Sequence, residues 1–263
     1  MPNQGKDAKG LPGAYRIGAW YHTSSRFGDQ RFDNNGLSLA DPQSSGIPLN
    51  HAGDSGVYGV IDQMLYRVPG SDDQGLSGFV RAGGVPQDRN LINFYADGGL
   101  VYKGLVPLRP NDKVGVAAAY ARVGDNARGL DADTGFFGNF FFPVRSGETM
   151  IEMMYQAQMA PWWMLQPEVQ YIIRPGAGVL NSDGSLRPNA WVIAVRSALS
   201  FWNRRLAARI AVVFTASWVK IAQCTRWLEP WALLDARSSA PSPARRCGLR
   251  PRARKPFRTG QSG

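Results

Sequence analysis

Few residues in this sequence combine types and spacing that could support covalent catalysis. Ser55 lies in the segment Gly53-Asp54-Ser55-Gly56, whose form fits a serine nucleophile. Such a nucleophile needs a histidine base and an orienting acid held in place by the fold. The chain has two histidines, and His51 lies only four residues before Ser55. We therefore interpret residues 53–56 as a turn that enters a strand, and the sequence predicts no enzymatic activity.

Metal and cofactor chemistry has equally little support. Residues 29–36 hold acidic and amide side chains and a glycine, but their spacing departs from the calcium-loop pattern. A surface calcium site there stays an open alternative. The two histidines, together with Cys224 and Cys247, do not have the spacing of a zinc site. The sequence therefore predicts no cofactor and no metal.

Polar and apolar side chains instead alternate along most of the chain, which is the pattern of β-strands. In residues 149–159 one set of alternate positions is apolar and the other is largely polar. Residues 163–174 repeat the same arrangement. The pattern predicts eight strands, at residues 14–22, 56–68, 75–82, 94–105, 114–123, 149–159, 163–174 and 189–201.

The connections between these strands alternate in length. Those at 69–74, 106–113 and 160–162 are short, whereas those at 23–55 and 124–148 are long. Membrane barrels have short periplasmic turns and longer extracellular loops. We therefore predict an all-β fold, a transmembrane antiparallel β-barrel. Aromatic residues near the strand ends are expected in interfacial girdles: Tyr15, Tyr21, Tyr58, Tyr66, Trp162 and Trp163.

Charge is distributed unevenly along the chain. Residues 202–263 hold 13 of the 30 Lys and Arg but only 2 of the 20 Asp and Glu, so this tail accounts for the net charge of +10. The body is nearly neutral, and nucleic-acid binding is not predicted from it. The tail matches no folding pattern, and we interpret it as a disordered or poorly folded product of a frameshift or read-through. A basic arm for nucleic acid or lipid headgroups, or a small domain, are the alternatives.

The N-terminal residues 1–13 are expected to form a flexible segment. They contain no apolar region of 7 to 15 residues, so they do not form a secretory signal peptide. Because an outer-membrane protein is exported through such a signal, we expect the chain to lack the front of the original protein.

Short stretches that follow one another in a fixed order resemble the carbohydrate-selective porins of the OprB type. They include Trp20-Tyr21-His22-Thr23, Asp29-Gln30-Arg31-Phe32-Asp33, Ser38-Leu39-Ala40-Asp41-Pro42, Ser45-Gly46-Ile47-Pro48, Asp62-Gln63-Met64-Leu65-Tyr66-Arg67, Gly99-Leu100-Val101-Tyr102-Lys103-Gly104-Leu105, Tyr155-Gln156-Ala157-Gln158 and Leu165-Gln166-Pro167. The resemblance implies that residues 14–201 form the C-terminal half of an outer-membrane barrel of about sixteen strands, which is wide enough for a channel.

By this resemblance, sugars and similar small solutes diffuse passively through the bacterial outer membrane into the periplasm. Outer-membrane lipid and lipopolysaccharide would surround the barrel, and the barrel-insertion machinery would read the strand that ends at Phe201. The candidates for the channel lumen are Trp20, Tyr95, Asp97, Lys103, Arg122, Glu152, Gln156, Glu168 and Arg196. Each could instead form a wall salt bridge or fill the barrel without touching a solute. Residues 26–35 either fold into the channel as a constriction or lie exposed.

Two other classes of protein share the alternating pattern. A small closed outer-membrane barrel of about eight strands is filled by its own side chains and would have a structural or adhesive role without a pore. A soluble β-sandwich would act as a binding module. The resemblance favours the porin over both.

Overall fold

The structure is a computed structural model, and it describes residues 10–203 and 208–218. The strands are β1 (Gly13–His22), β2 (Phe27–Asp33), β3 (Pro48–His51), β4 (Asp54–Arg67), β5 (Gly75–Gly84), β6 (Ile92–Lys103), β7 (Lys113–Val123), β8 (Gly147–Ala160), β9 (Trp163–Ile173), β10 (Ala190–Asn203) and β11 (Ala208–Trp218). One α-helix, α1 (Asp125–Gly138), lies between β7 and β8. None of the helices in the described part of the chain is both long and apolar enough to cross a bilayer.

The eight strands predicted from alternation are confirmed, with ends that differ by at most two residues from β1 and β4 to β10. Together with β11 they form one nine-stranded sheet in the order β1-β4-β5-β6-β7-β8-β9-β10-β11, and neighbouring strands are antiparallel. β1 pairs with β4 because β2 and β3 form a separate two-stranded sheet. The predicted all-β antiparallel architecture is therefore confirmed.

The connections lie at two opposite ends of the sheet, because each strand reverses the direction of the one before it. Short connections at 68–74, 104–112 and 161–162 lie at one end, which we call the turn end. The opposite end, the loop end, carries the connections at 23–53, 85–91, 124–146 and 174–189. Three of these four are much longer than any connection at the turn end, as the sequence predicts for a membrane barrel.

The sheet has two chemically different faces. Directly opposed residues of antiparallel strands share a face, and Asp97 lies opposite Arg81 and Ala119. We call the face that carries Asp97 the polar face and the other the apolar face. Large side chains on the apolar face are solvent-exposed: Tyr15, Ile17, Tyr21, Val57, Ile61, Val80, Phe94, Leu100, Val116, Ile151, Met153, Val169, Trp191, Ile193 and Val195.

Burial on the two faces is the inverse of that in a water-soluble sheet. Ile17 on the apolar face is 93% exposed, whereas Asp97, Glu152 and Glu168 on the polar face are 8%, 6% and 5% exposed. Such an apolar surface in water would be a large exposed patch of the kind that marks a membrane or protein contact. Alternation of an outward apolar face with an inward polar face is the arrangement of transmembrane barrels.

The loop end contains elements that alternation did not predict, namely β2, β3 and α1. The helix buries Ala127 and Asp131, which are four residues apart, and has no further buried position. A helix with such a narrow buried stripe gives no clear amphipathic signal. Its stability depends on contacts with distant loop residues, which a local pattern does not contain.

The C-terminal boundary also differs from the prediction. β10 continues two residues beyond Phe201 to Asn203, and β11 pairs with it from Ala208 to Trp218. Residues 208–218 of the tail therefore form a strand, where the sequence predicted no regular structure. Residues 1–9, 204–207 and 219–263 lie outside the described residues, and so do most of the predicted flexible N-terminal segment, most of the basic tail and both cysteines.

Candidate functional site

An ion pair joins the neighbouring strands β5 and β6 on the polar face. Arg81 of β5 donates from Nε to both carboxylate oxygens of Asp97 on β6, at 3.0 and 3.1 Å, and its Nη2 also bonds Asp97. The Arg81 guanidinium lies over the ring of Phe79, 5.3 Å from the ring centroid. Phe79 in turn lies against Gly99, where an added Cβ would be 2.7 Å from the ring. Glycine is therefore required to seat the ring that positions Arg81.

A second group of polar side chains lies on β8, β9 and β10. Gln170 donates to Glu152 at 2.8 Å, and Gln166 donates to Glu168 at 3.0 Å. Arg196 approaches Glu168 with an N–O distance of 3.8 Å, and 13% of its side chain is exposed. Because buried carboxylates need hydrogen bonds and a nearby cation to stay charged, the amides and Arg196 keep both glutamates in a polar environment.

The turn-end part of the polar face is basic. Lys103 of β6 lies opposite Lys113 of β7, and Lys113 lies opposite Gln156 of β8. Lys103 forms an ion pair with Asp73 in the connection 68–74. Charges of both signs therefore run along the polar face from the loop end to the turn end.

Aromatic side chains lie on the polar face toward its loop end. Tyr58 of β4 and Tyr95 of β6 both lie opposite Gly83 of β5, one from each side. Trp20 of β1 lies opposite Gly56, and an added Cβ at Gly56 would be 2.5 Å from Nε1 of the indole. Trp20 and Tyr58 are each close to half exposed. Their rings therefore present accessible apolar surfaces on an otherwise polar face.

The connections at the loop end are joined by a set of polar contacts that we call the loop cluster, made by Asp29, Arg31, Asp33, His51, Asp88, Arg89 and Asp133. Arg31 of β2 donates from Nε and Nη2 to Asp133 of α1 at 2.9 and 3.1 Å. Ser38 donates to the same carboxylate at 2.6 Å. The guanidinium lies over Gly129, where an added Cβ would be 2.5 Å from Nη1. β2 is thus fixed against α1.

His51 connects three further parts of the loop cluster. Its Nε2 lies 2.7 Å from Asp29 of β2, and its Nδ1 lies 3.7 Å from Asp88 in the connection 85–91. Arg89 donates to Asp88 at 2.8 Å and to the carbonyl oxygen of Gly53 at 2.7 Å. His51 therefore has a structural role here, and it is not placed as a base for Ser55.

Asp33 organises the hairpin between β2 and β3. Its carboxylate is fully buried and accepts backbone N–H groups of Asn35, Leu37 and Ser45 at 2.8 to 2.9 Å. Burial alone would raise the pKa of Asp33, but these N–H donors and the hydroxyl of Ser44 hold the pKa far below its usual value near 3.8. The carboxylate of Asp33 is thus occupied by donors of the hairpin, and that of Asp29 accepts the N–H groups of Arg31 and Phe32 and contacts His51.

The helix α1 begins on the polar-face side of the sheet. Val123, which ends β7 on that side, forms a buried apolar cluster with Ala127 of α1 and with Ala177 of a short 3-10 helix, Pro175–Ala177. Arg31 and Asp133 join α1 to β2. The packing of Ala127 against Val123 therefore places part of the loop cluster on the same side of the sheet as Asp97.

The family comparison agrees with this two-faced sheet. The family described as carbohydrate-selective porin, OprB family, matches residues 2–201. The chain belongs to the OprB family. Porin B of Pseudomonas aeruginosa is 28% identical over 193 residues, which cover 68% of this chain and 40% of that protein. The OprB of Pseudomonas putida, solved at high pH, is 28% identical with a TM-score of 0.63 and covers 71% of this chain and 44% of that chain.

This OprB-family chain therefore spans about two fifths of the length of Porin B. The closed eight-stranded barrel is not supported, because β10 pairs with β9 and β11 in the described residues, and β1 pairs there with β4. Eight of the predicted lumen residues lie on the polar face of the OprB-family sheet: Trp20, Tyr95, Asp97, Lys103, Glu152, Gln156, Glu168 and Arg196. Their contact with solute stays a prediction.

The ninth, Arg122, does not lie on the polar face. It is opposite Phe94 on the apolar face, and its guanidinium donates to Asp125 at the start of α1 at 2.7 Å. Tyr58 shows the opposite difference from the prediction. We expected it in an outer aromatic girdle, but it lies on the polar face of the OprB-family sheet. Counting alternate positions back from Asp62 along β4 would have placed Tyr58 correctly. Arg81, the partner of Asp97, was also missed, although it occupies an alternating position in a predicted strand.

Proposed function

We propose that this chain forms the wall of an outer-membrane porin through which sugars and similar small solutes diffuse passively into the periplasm. The observation that carries the proposal is the division of the same strands into an exposed apolar face and a polar face with buried Asp97, Glu152 and Glu168. A dry protein core would make these carboxylates costly, whereas a water-filled channel accommodates them.

The chemistry of the polar face suits uncharged, hydroxyl-rich solutes. Arg81 with Asp97, and Arg196 with Glu168, place opposite charges on adjacent strands. Carboxylates, amides and guanidinium groups replace water around sugar hydroxyls, while paired charges avoid a strong field of one sign. Binding must stay weak enough for release in a conducting pore. The proposed transport therefore needs no chemical step and no cofactor.

The loop cluster is proposed to narrow the channel mouth. α1 begins on the polar-face side at Val123, and Arg31 joins residues 27–33 to it. This arrangement supports the constriction alternative for residues 26–35 over a fully exposed loop. A mouth held by ion pairs and buried hydrogen bonds keeps a fixed width, which size selection requires.

The location follows from the same surface. We propose that outer-membrane lipid and lipopolysaccharide contact the apolar face, on which Ile17 and Ile151 are exposed. After export, the barrel-insertion machinery would recognise the strand that contains Phe201 and insert the chain into that membrane. Binding of the insertion machinery to a peptide of residues 190–203, compared with the same peptide carrying Phe201→Ala, tests this recognition.

Reconstitution tests the transport function. The 263-residue chain would be folded into vesicles, and insertion verified by circular dichroism and by heat-modifiable mobility in gels. Stepwise conductance in planar bilayers and liposome swelling that is faster in a monosaccharide than in a trisaccharide are expected. An inserted chain that neither conducts nor admits monosaccharides, or a chain that stays soluble without detergent, overturns the proposal.

A further inference from the structure

His51 lies between two carboxylates that belong to different connections of the loop end. It ends β3, its Nε2 is 2.7 Å from Asp29 of β2, and its Nδ1 is 3.7 Å from Asp88 in the connection 85–91. The side chain of His51 is 18% exposed, and that of Asp29 is 3% exposed. A largely buried imidazole therefore joins the connection 23–53 to the connection 85–91.

The protonation state of this ring decides how many carboxylates it can bind. A neutral imidazole has one N–H donor and one lone pair, whereas an imidazolium has two N–H donors. When the neutral ring donates from Nε2 to Asp29, its Nδ1 lone pair faces the negative charge of Asp88. The protonated ring donates to both carboxylates, and the 3.7 Å separation at Nδ1 can shorten to a charge-assisted hydrogen bond. A proton on His51 therefore strengthens the link between the two connections.

The two carboxylates keep their charge in the pH range in which a histidine changes its own. Burial alone would raise the pKa of Asp29, but two backbone N–H groups of β2 and the imidazole hold that pKa below its usual value of 3.8. Hydrogen bonds from Arg89 lower the pKa of Asp88. Histidine is the side chain that ordinarily changes its charge between pH 5 and 8. A change of these contacts within that range is therefore expected from His51.

The other groups around the ring do not replace its proton. Arg89 donates to Asp88 at 2.8 Å, and a guanidinium keeps its charge throughout this range. Asn126 of α1 contributes a neutral amide to Asp29, at 3.3 Å. Asp54 of β4 and Tyr21 of β1 interact with Arg89, and ordinary aspartates and tyrosines titrate outside pH 5 to 8.

We propose that His51, Asp29 and Asp88 form a pH-sensitive latch at the loop end, which is closed when His51 carries a proton. Because acid favours the state that binds the additional proton, the latch tightens as the pH falls from 8 to 5. At neutral and alkaline pH the connections 23–53 and 85–91 separate more often. The latch itself does not depend on transport. Its consequence for a channel, which is a mouth that fluctuates less in acid, rests on the proposed porin function.

Hydrogen exchange tests the latch directly. The N–H of Gln30 in β2 donates to the carbonyl oxygen of Asp88 at 2.7 Å, so its exchange reports separation of the two connections. The 263-residue chain would be measured in vesicles near pH 5.5 and near pH 8, with each rate corrected for the intrinsic chemical rate at that pH. We expect the protection of Gln30 to be about 5- to 10-fold greater in acid.

Three variants assign the pH dependence to the latch. His51→Gln keeps a polar side chain that cannot be protonated, so its protection in acid should fall to the wild-type level near pH 8. Asp88→Asn removes the carboxylate that faces Nδ1 and should have the same effect. His22→Gln is the matched control, because His22 accepts the N–H of Ser24 at 3.1 Å and lies edge-on to Phe27. The control should keep the full pH dependence.

The outcomes separate the latch from the proposed function. Equal protection of the wild type at both pH values overturns the latch, and so does a pH dependence that persists in His51→Gln or disappears in His22→Gln. If the hairpin of His51→Gln is unprotected at every pH, Asp88→Asn decides. Current fluctuations in planar bilayers should be larger near pH 8 than near pH 5.5 in the wild type only. A chain that inserts and shows the exchange difference without conducting overturns the proposed function and leaves the latch.

Discussion

Arg31 and Asp133 are 102 positions apart in the sequence, yet two hydrogen bonds of 2.9 and 3.1 Å join them across the loop end. The pair links the long excursion between β1 and β4 to the helix between β7 and β8. Both side chains are partly buried, with 34% and 19% of their surfaces exposed. Charge-assisted bonds of this two-pronged geometry are stronger than neutral ones, so the pair is a main support of the loop cluster.

Removal of this pair should open the loop cluster while leaving the wall intact. Arg31→Gln and Asp133→Asn are each expected to raise the rate of limited proteolysis within residues 26–50 about tenfold. Arg128→Gln is the control, because Arg128 pairs with Asp125 on an exposed part of the same helix and such pairs contribute little. Equal cleavage of all three variants would show that the pair does not support the loop.

The hairpin around Asp33 should resist acid well below the usual carboxylate range. Hydrogen-bond donors lower the pKa of Asp33 in the folded chain below its usual value near 3.8. The stability that its carboxylate contributes is therefore fully present above about pH 3.8 and is lost as pH falls toward and through the lower folded pKa. Hydrogen exchange of residues 35–45 is therefore expected to stay slow at pH 4.

The variant Asp33→Asn should exchange rapidly in the same segment even at neutral pH. An amide keeps one acceptor oxygen and turns a donor either toward the N–H groups of Asn35 and Leu37, which share Oδ1, or toward that of Ser45 on Oδ2. Asp41→Asn is the matched control, since Asp41 accepts a single N–H from Gln43 in an exposed turn. Wild-type loop opening near pH 4, with the same midpoint as an exposed aspartate, would contradict the prediction.

Ion selectivity should respond to Arg196 and not to Arg122. Arg196→Gln removes the cation nearest Glu168 on the polar face, so the channel should favour K⁺ over Cl⁻ about 2- to 5-fold more strongly. The zero-current potential in a KCl gradient measures this change. Arg122→Gln removes an arginine from the apolar face and should leave the potential unchanged, whereas Glu168→Gln should move it the opposite way. Identical shifts for both arginine variants would contradict the face assignment.

Membrane stability should depend on which face receives a charge. Ile151→Arg places a guanidinium on the apolar face opposite Ala118, the middle residue of β7, and we expect the free energy of unfolding in lipid to fall by about 2 to 4 kcal/mol. Gln170→Arg adds the same group beside Glu152 on the polar face and should change stability little. Urea titrations in vesicles compare the two variants. A larger loss of stability for Gln170→Arg than for Ile151→Arg would contradict the assignment of the apolar face to lipid.

The wall strands were predictable because their burial repeats every second residue. In β8, Ile151 and Met153 are exposed while Glu152 and Met154 are buried, and the same order is visible in the sequence. The loop elements were not predictable, because their support comes from partners about one hundred positions away, such as Arg31 and Asp133.

Eight of the nine lumen candidates share the polar face because alternation fixes side-chain direction once one residue is assigned. Arg122 lies on the apolar face, and its long guanidinium at a strand end reaches Asp125 from there. Tyr58 was assigned to the girdle because an aromatic residue near a strand end fits either face. Its position opposite Gly83 is visible only in the register between strands.

The order of the strands has a consequence for the evolution of such β-barrels. From β4 to β11 each strand lies beside its neighbour in the sequence, so one hairpin is a complete unit of the sheet. Duplication or loss of a hairpin preserves strand direction and keeps side chains on their original faces. Circumference can therefore change in increments of two strands, roughly 10 Å, without redesign of the remaining residues.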